Sequence, residues 1–203
     1  MLEIDLVARE KALKKYVIPE CLHVPIAARD ETAISTHVGR IVTRLSGRTP
    51  FKAFLVAREC EVRPDRDLPI WDNPASAILH QPHQVWVHVR YSAYRAAYKR
   101  AFPEDRIDGL VLSHAMNRRL AIMRGFEFVR ITPASRASNS SSALSENWGI
   151  GVQARQSCDV AFRQNAQHIE YADLTALLLM MDFKIGGGNM GVVNEAQRLI
   201  LPR

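Results

Sequence analysis

Apolar residues recur along this chain at two spacings, about 3.6 residues in some stretches and two in others, which predicts helices and strands in one sequence. Leu6, Val7, Leu13 and Val17 fall roughly on one side of a helix over residues 3–17. A second helix is predicted over 29–47, "RDETAISTHVGRIVTRLSG". Asp30 serves as its N-cap, Ile34, Val38, Ile41, Val42 and Leu45 form its stripe, and Gly47 stops it. Residues 51–62, "FKAFLVARECEV", read as a strand or strand pair. The Pro- and Asp-rich stretch 63–74, "RPDRDLPIWDNP", is a boundary or an exposed loop.

Alternation and β-branching make 84–90, "QVWVHVR", a strand. A short helix over 91–103 follows, with Tyr91, Tyr94, Tyr98 and Phe102 on one side. Aromatics beside cations can stack on bases. At helical spacing they more often form a buried face, and that is the role assigned here. Strands over 109–113 and 126–132 flank a short helix over 116–124 that Gly125 ends. Residues 133–149 are small and polar, an ordered loop leading into a helix or a mobile segment. Residues 170–185, "EYADLTALLLMMDFKI", give a late helix and a short strand, "GGGNMG" breaks the chain at 186–191, and a final helix closes it. The fold class predicted is α+β, a short mixed sheet with flanking helices that contains a strand-strand-helix element. Residues 1–62 form a helical and strand region and 75–203 an α+β region, together making one domain or two.

Composition narrows the class. Of 203 residues, 47% are hydrophobic and 24% charged, an ordinary globular balance with enough apolar material for a core. Cys21, Cys60 and Cys158 are odd in number and lack CxxC spacing, which argues against a zinc site and a secreted disulfide framework. The N-terminus has no apolar core of the signal-peptide kind. The longest apolar run, "LTALLLMM", falls short of the ~20 residues that span a bilayer. A soluble cytoplasmic protein with no membrane partner is expected.

The formal charge is +6, and its location says more than its size. Residues 90–136 hold ten basic side chains (Arg90, Arg95, Lys99, Arg100, Arg106, Arg118, Arg119, Arg124, Arg130, Arg136) against four acidic ones, so the whole excess lies there. Such a footprint suits a polyanion, DNA or RNA. All but Arg106 are candidate nucleic-acid contacts. The alternatives are a solvated surface in an Arg-rich chain and an acidic protein partner.

One histidine, His114, stands where a strand ends inside this basic window. A histidine so held can take a proton from water at neutral pH, and phosphodiester cleavage needs that together with a cation on the phosphate oxygens. "LSH" ending in His114, "GFEFVRITP" as a second strand, and Asn139 near the next helix resemble the HNH, or ββα-metal, nuclease superfamily over about residues 108–147. The resemblance implies a metal-dependent endonuclease using Mg²⁺ or Mn²⁺. His114 would be its general base, Asn117 would orient the histidine loop, and Asn139 would be a metal ligand. Arg118, Arg119 and Arg130 would be phosphate contacts.

Ser113 stands where that family usually carries an acid. Asp108 lies six residues away, roughly 20 Å of extended strand, whereas Glu146 shares a helical face with Asn139 and is the second candidate ligand. Ser113 also favours a rival reading, a non-catalytic nucleic-acid-binding or structural subunit of a larger assembly. Two other signals are set aside. "GGGNMG" has only twelve residues after it, so no dinucleotide-binding unit can follow, and it reads as a hinge. His80, His83 and His88 contain no helical i, i+4 pair and read as loop and core residues.

Overall fold

The computed structural model describes residues 24–58, 81–140 and 168–172, together with residues 176, 180 and 182. The helix expected over 3–17, the 63–74 stretch, the three cysteines, His80, "GGGNMG" and the final helix lie outside the described residues. Among the described residues seven strands form one sheet: β1 (Pro25–Ala28), β2 (Gly39–Arg44), β3 (Ala53–Arg58), β4 (His83–His88), β5 (Val111–His114), β6 (Phe128–Ala134) and β7 (Ile169–Tyr171). Three helices accompany them: α1 (Glu31–His37), α2 (Tyr94–Ala101) and α3 (Arg118–Met123). Residues 136–140 are also helical. The class is α+β as expected, but among the described residues every strand pairing is antiparallel, where a mixed sheet was expected.

The strand order is β2-β3-β4-β6-β1-β7, with β5 also on β6. One edge of β6 pairs with β4, from Val85↔Ile131 to His88↔Phe128. Its other edge is divided: β1 takes Phe128 and Val129, and β5 takes Ile131 to Ala134. Strands from residues 1–62 and 75–203 therefore interleave in one sheet, β3 meeting β4 directly.

Period-2 alternation sorts the side chains onto two faces. On one, Val85, Val87, Val129, Ile131 and Leu112 pack with Tyr91, Ala97 and Tyr98 from α2 and the turn before it. On the other, Phe54, Val56, Trp86 and Phe128 pack with Ala33 and Ile34 of α1 and with Ile169. The aromatic stripe of 91–103 is thus a core face: Tyr91 and Tyr98 are buried, and Tyr94 and Phe102 pack partly buried against the same cluster.

The single helix expected over 29–47 is divided in two. Asp30 does cap it, accepting from the Ala33 N–H at 2.8 Å, but α1 ends at His37 and β2 begins at Gly39. The stripe satisfied a helical period as far as Val38. Beyond it, Ile41, Val42 and Thr43 are β-branched, and Ile41 and Thr43 pair with β3 on either side of a register shift at Val42. Gly39 permits the pairing, because a Cβ there would stand 2.1 Å from the Ala57 carbonyl oxygen. In the stretch expected to give a late helix and a short strand, the strand comes first, Ile169–Tyr171 pairing with β1. Ala176 and Met180 are helical.

Gly39→Ala is expected to lower stability by about 2–3 kcal/mol in urea denaturation, since backbone must move to admit the methyl group. Gly47→Ala, where an added Cβ meets nothing within 4 Å, should stay within about 0.5 kcal/mol of the parent.

Candidate functional site

His114 ends β5 because β1 occupies the next position beside β6. It pairs with Ile131, and the Ala115 N–H still bonds the Arg130 carbonyl as the chain turns away. The chain then enters α3 through Asn117, whose side-chain oxygen accepts from the Arg119 N–H at 2.9 Å and the Leu120 N–H at 3.4 Å. Gly125, at φ +78°, closes that helix in the conformation a glycine adopts most readily. Asn117 is therefore an N-cap. That explains its place without a role in orienting the histidine.

The imidazole is half-buried, with the Tyr94 ring edge-on at a centroid distance of 4.7 Å. Its Nε2 is shielded from solvent and has no hydrogen-bond partner among the described residues. Burial, reinforced by the positive charge of Arg118, pushes its pKa down to about 4. At neutral pH His114 is a neutral imidazole. That suits a lone-pair donor, whereas a general base works best with a pKa near the working pH.

The strand-strand-helix order expected from the sequence is present: β5 and β6 form an antiparallel pair, and residues 136–140 are helical. The register separates its two key residues. His114 stands opposite Ile131, whereas β6 leaves the pair at Ala134, opposite Val111. The helix that carries Asn139 therefore starts about 10 Å further along the strands. Asn139 is half-buried, and its N–H bonds the Ser135 carbonyl. Glu146 lies outside the described residues. Among the described residues no three His, Cys, Asp or Glu side chains are grouped to hold a metal. The described residues do not complete a site for Mg²⁺ or Mn²⁺.

The expected basic contacts separate into three kinds. Arg90, Arg95, Lys99, Arg100, Arg118, Arg119 and Arg136 are exposed, although Arg95 also donates to the Ile107 and Leu110 carbonyls at 3.4 Å. Arg124 is partly buried and pairs with Glu170 at 3.0 Å, tying α3 to β7. Arg130 is a correction: it is 0% exposed and cannot touch a nucleic acid. Its place on β6 turns it inward opposite Trp86, and burial, with the charge of Arg58, pushes its pKa down to about 9.

Two features escaped the sequence reading. One is Tyr94, assigned only to the core, which meets His114. The other is a row of buried polar side chains, Gln84, Arg130, Thr132 and Ser113, on the sheet face away from His114. The alternation held a clue to the row, because Gln84 has the parity of inward Trp86, and Thr132 that of Arg130. The Gln84 Nε2 and the Thr132 Oγ1 have no hydrogen-bond partner among the described residues, a cost of about 1–3 kcal/mol for each such group.

Among the described residues no helix is long and apolar enough to cross a membrane.

Asn117→Ala should cost about 1 kcal/mol in urea denaturation, and Asn117→Asp should recover most of it, as a cap requires. His114 makes a pH prediction. Its pKa is near 6.5 unfolded and about 4 folded. Between those values the unfolded chain binds more protons, so stability is full above 6.5 and is lost as pH falls towards 4, by at most about 3 kcal/mol. Denaturant midpoints across that window should slope less in His114→Phe than in the parent, and an unchanged slope would clear His114 of that role. Compared with family models, curated proteins and solved structures, the chain matches nothing.

Proposed function

We propose that this protein binds a nucleic-acid backbone through the surface around His114. One observation carries the reading: Tyr94 at the start of α2 meets the His114 ring, and the exposed Arg118 at the start of α3, beside exposed Arg119, is near enough for its charge to act on that ring. Arg90 and Arg95 flank Tyr94 in sequence, and Lys99 and Arg100 continue the exposed cations along α2. Guanidinium groups give bidentate contacts to phosphate oxygens, and several of them on a surface with few acids favour DNA or RNA without sequence preference.

A second reading, metal-dependent phosphodiester cleavage, is favoured by the strand-strand-helix order, whereas a pKa of about 4 makes His114 a weak general base. The burial of its Nε2 opposes it, since water activation needs that atom reachable. Binding is therefore the function put first, and an acidic protein partner is the outcome left if nucleic acid fails.

Gel shifts on DNA and RNA across a salt series should give log K falling steeply with log salt. Arg118→Ala with Arg119→Ala should flatten the slope by close to one unit for each phosphate that is no longer neutralised. An unchanged slope removes those two arginines from the interface. Plasmid and RNA incubated with Mg²⁺, Mn²⁺ or EDTA test the second reading. Metal-dependent cutting that disappears in His114→Ala supports it, and equal cutting in the variant ends His114's part in it.

A further inference from the structure

We infer that His37 and His168 form a binding site for one transition-metal dication of the Zn²⁺ kind, between the end of α1 and the start of β7. His37 is the last residue of α1, and His168 immediately precedes β7. Both are exposed, and their rings lie with centroids 5.9 Å apart and 29° between the planes.

Each imidazole is carried on fixed backbone. Ala33 and Ile34 seat α1 on the sheet in one cluster with Ile169, the residue after His168. The His168 carbonyl accepts from the Arg29 N–H at 2.9 Å, next to the pairing of Ala28 with Ile169. Two histidines far apart in sequence are thus brought together by the packing of α1 and by the β1-β7 ladder.

Spacing and chemistry agree on the ligand. Fully overlapped rings in contact would have centroids about 3.5–4 Å apart. Two imidazoles that share a tetrahedral Zn²⁺, at about 2.0–2.1 Å from each nitrogen, have centroids about 5 Å apart. The observed separation is nearer the second arrangement, and rotation of the exposed side chains covers the remainder. A neutral imidazole offers one lone-pair nitrogen, and imidazole suits Zn²⁺, Cu²⁺ and Ni²⁺, whereas Mg²⁺ takes oxygen ligands. Among the described residues each ring makes its contact with the other, so no bond has to be broken to turn a nitrogen onto an ion. The end of α1 adds an attraction for a cation, because helix carbonyls point their negative ends that way. No third His, Cys, Asp or Glu joins the pair among the described residues, and solvent at this exposed surface completes the shell. The site shares no residue with the surface around His114 and stands whether or not that surface binds nucleic acid.

The full chain, stripped with EDTA and exchanged into chelator-free buffer, is titrated with Zn²⁺ and with Mg²⁺ by calorimetry, and its thermal unfolding is followed in each ion. Zn²⁺ should bind through the pair and raise Tm, because only the folded chain presents both rings to one ion, and Mg²⁺ should do neither. His37→Gln and His168→Gln should each weaken that binding by more than the roughly tenfold that loss of an outer-shell partner costs a metal site. The double variant should add little to either, as two ligands of one ion require. No Zn²⁺ binding in the parent, or binding equally strong in either single variant, overturns the inference. A Tm rise that Mg²⁺ reproduces also overturns it.

Discussion

Strand β6 has to satisfy three neighbours with seven residues, and most of the described architecture follows from how it does so. One edge is given to β4 and the other is shared, β1 taking the first part and β5 the rest. Backbone groups inside a sheet must find partners, so a shared edge fixes where each of the two short strands stops. It puts His114 at a strand end, turns the chain into α3 and pins Arg130 inside. Moving β5 by a single residue would exchange the His114 and Ser113 faces together.

That exchange would matter because the two faces differ in kind. His114 points to the side where α2 brings aromatic rings, and low polarity there favours the uncharged imidazole. Ser113 points to the side where polar groups and a guanidinium are enclosed. One short strand therefore carries two adjacent residues into opposite electrostatic surroundings. The cations outside the sheet are a third environment, where charge is solvated and acts at a distance on whatever approaches.

Much of this was legible in the chain. The strands at 53–58, 83–88, 111–114 and 128–134 and the caps at Asp30 and Gly125 follow from alternation and from turn chemistry that depends on a few residues each, whereas Asn117 was given a role at the histidine and proved to be a cap. What failed was where two local signals agreed and tertiary pairing chose between them. Val38 to Leu45 fits a helical stripe, yet its β-branched residues were claimed by β3. Arg130 was grouped with its basic neighbours because charge is visible in a sequence and inward parity is visible only once the strand's partner is known. The polar row was missed for the same reason. Its members lie on three strands far apart in sequence, and only the register assembles them.

Register over such separations also dictates the order in which the chain can be completed. Ala27 and Ala28 bond Val129 and Phe128 on one side, and Glu170 and Ile169 on the other. The earliest strand described thus waits for two of the latest. A growing chain can close β2-β3 and then add β4 early, but β1 must remain unzipped until most of the protein has been synthesised. High contact order of this kind slows folding and leaves an open edge in the interval. Chaperone dependence and aggregation during expression should therefore concentrate on β1, and a circular permutant that brings β1 and β7 together in sequence would fold faster with the native packing unaltered.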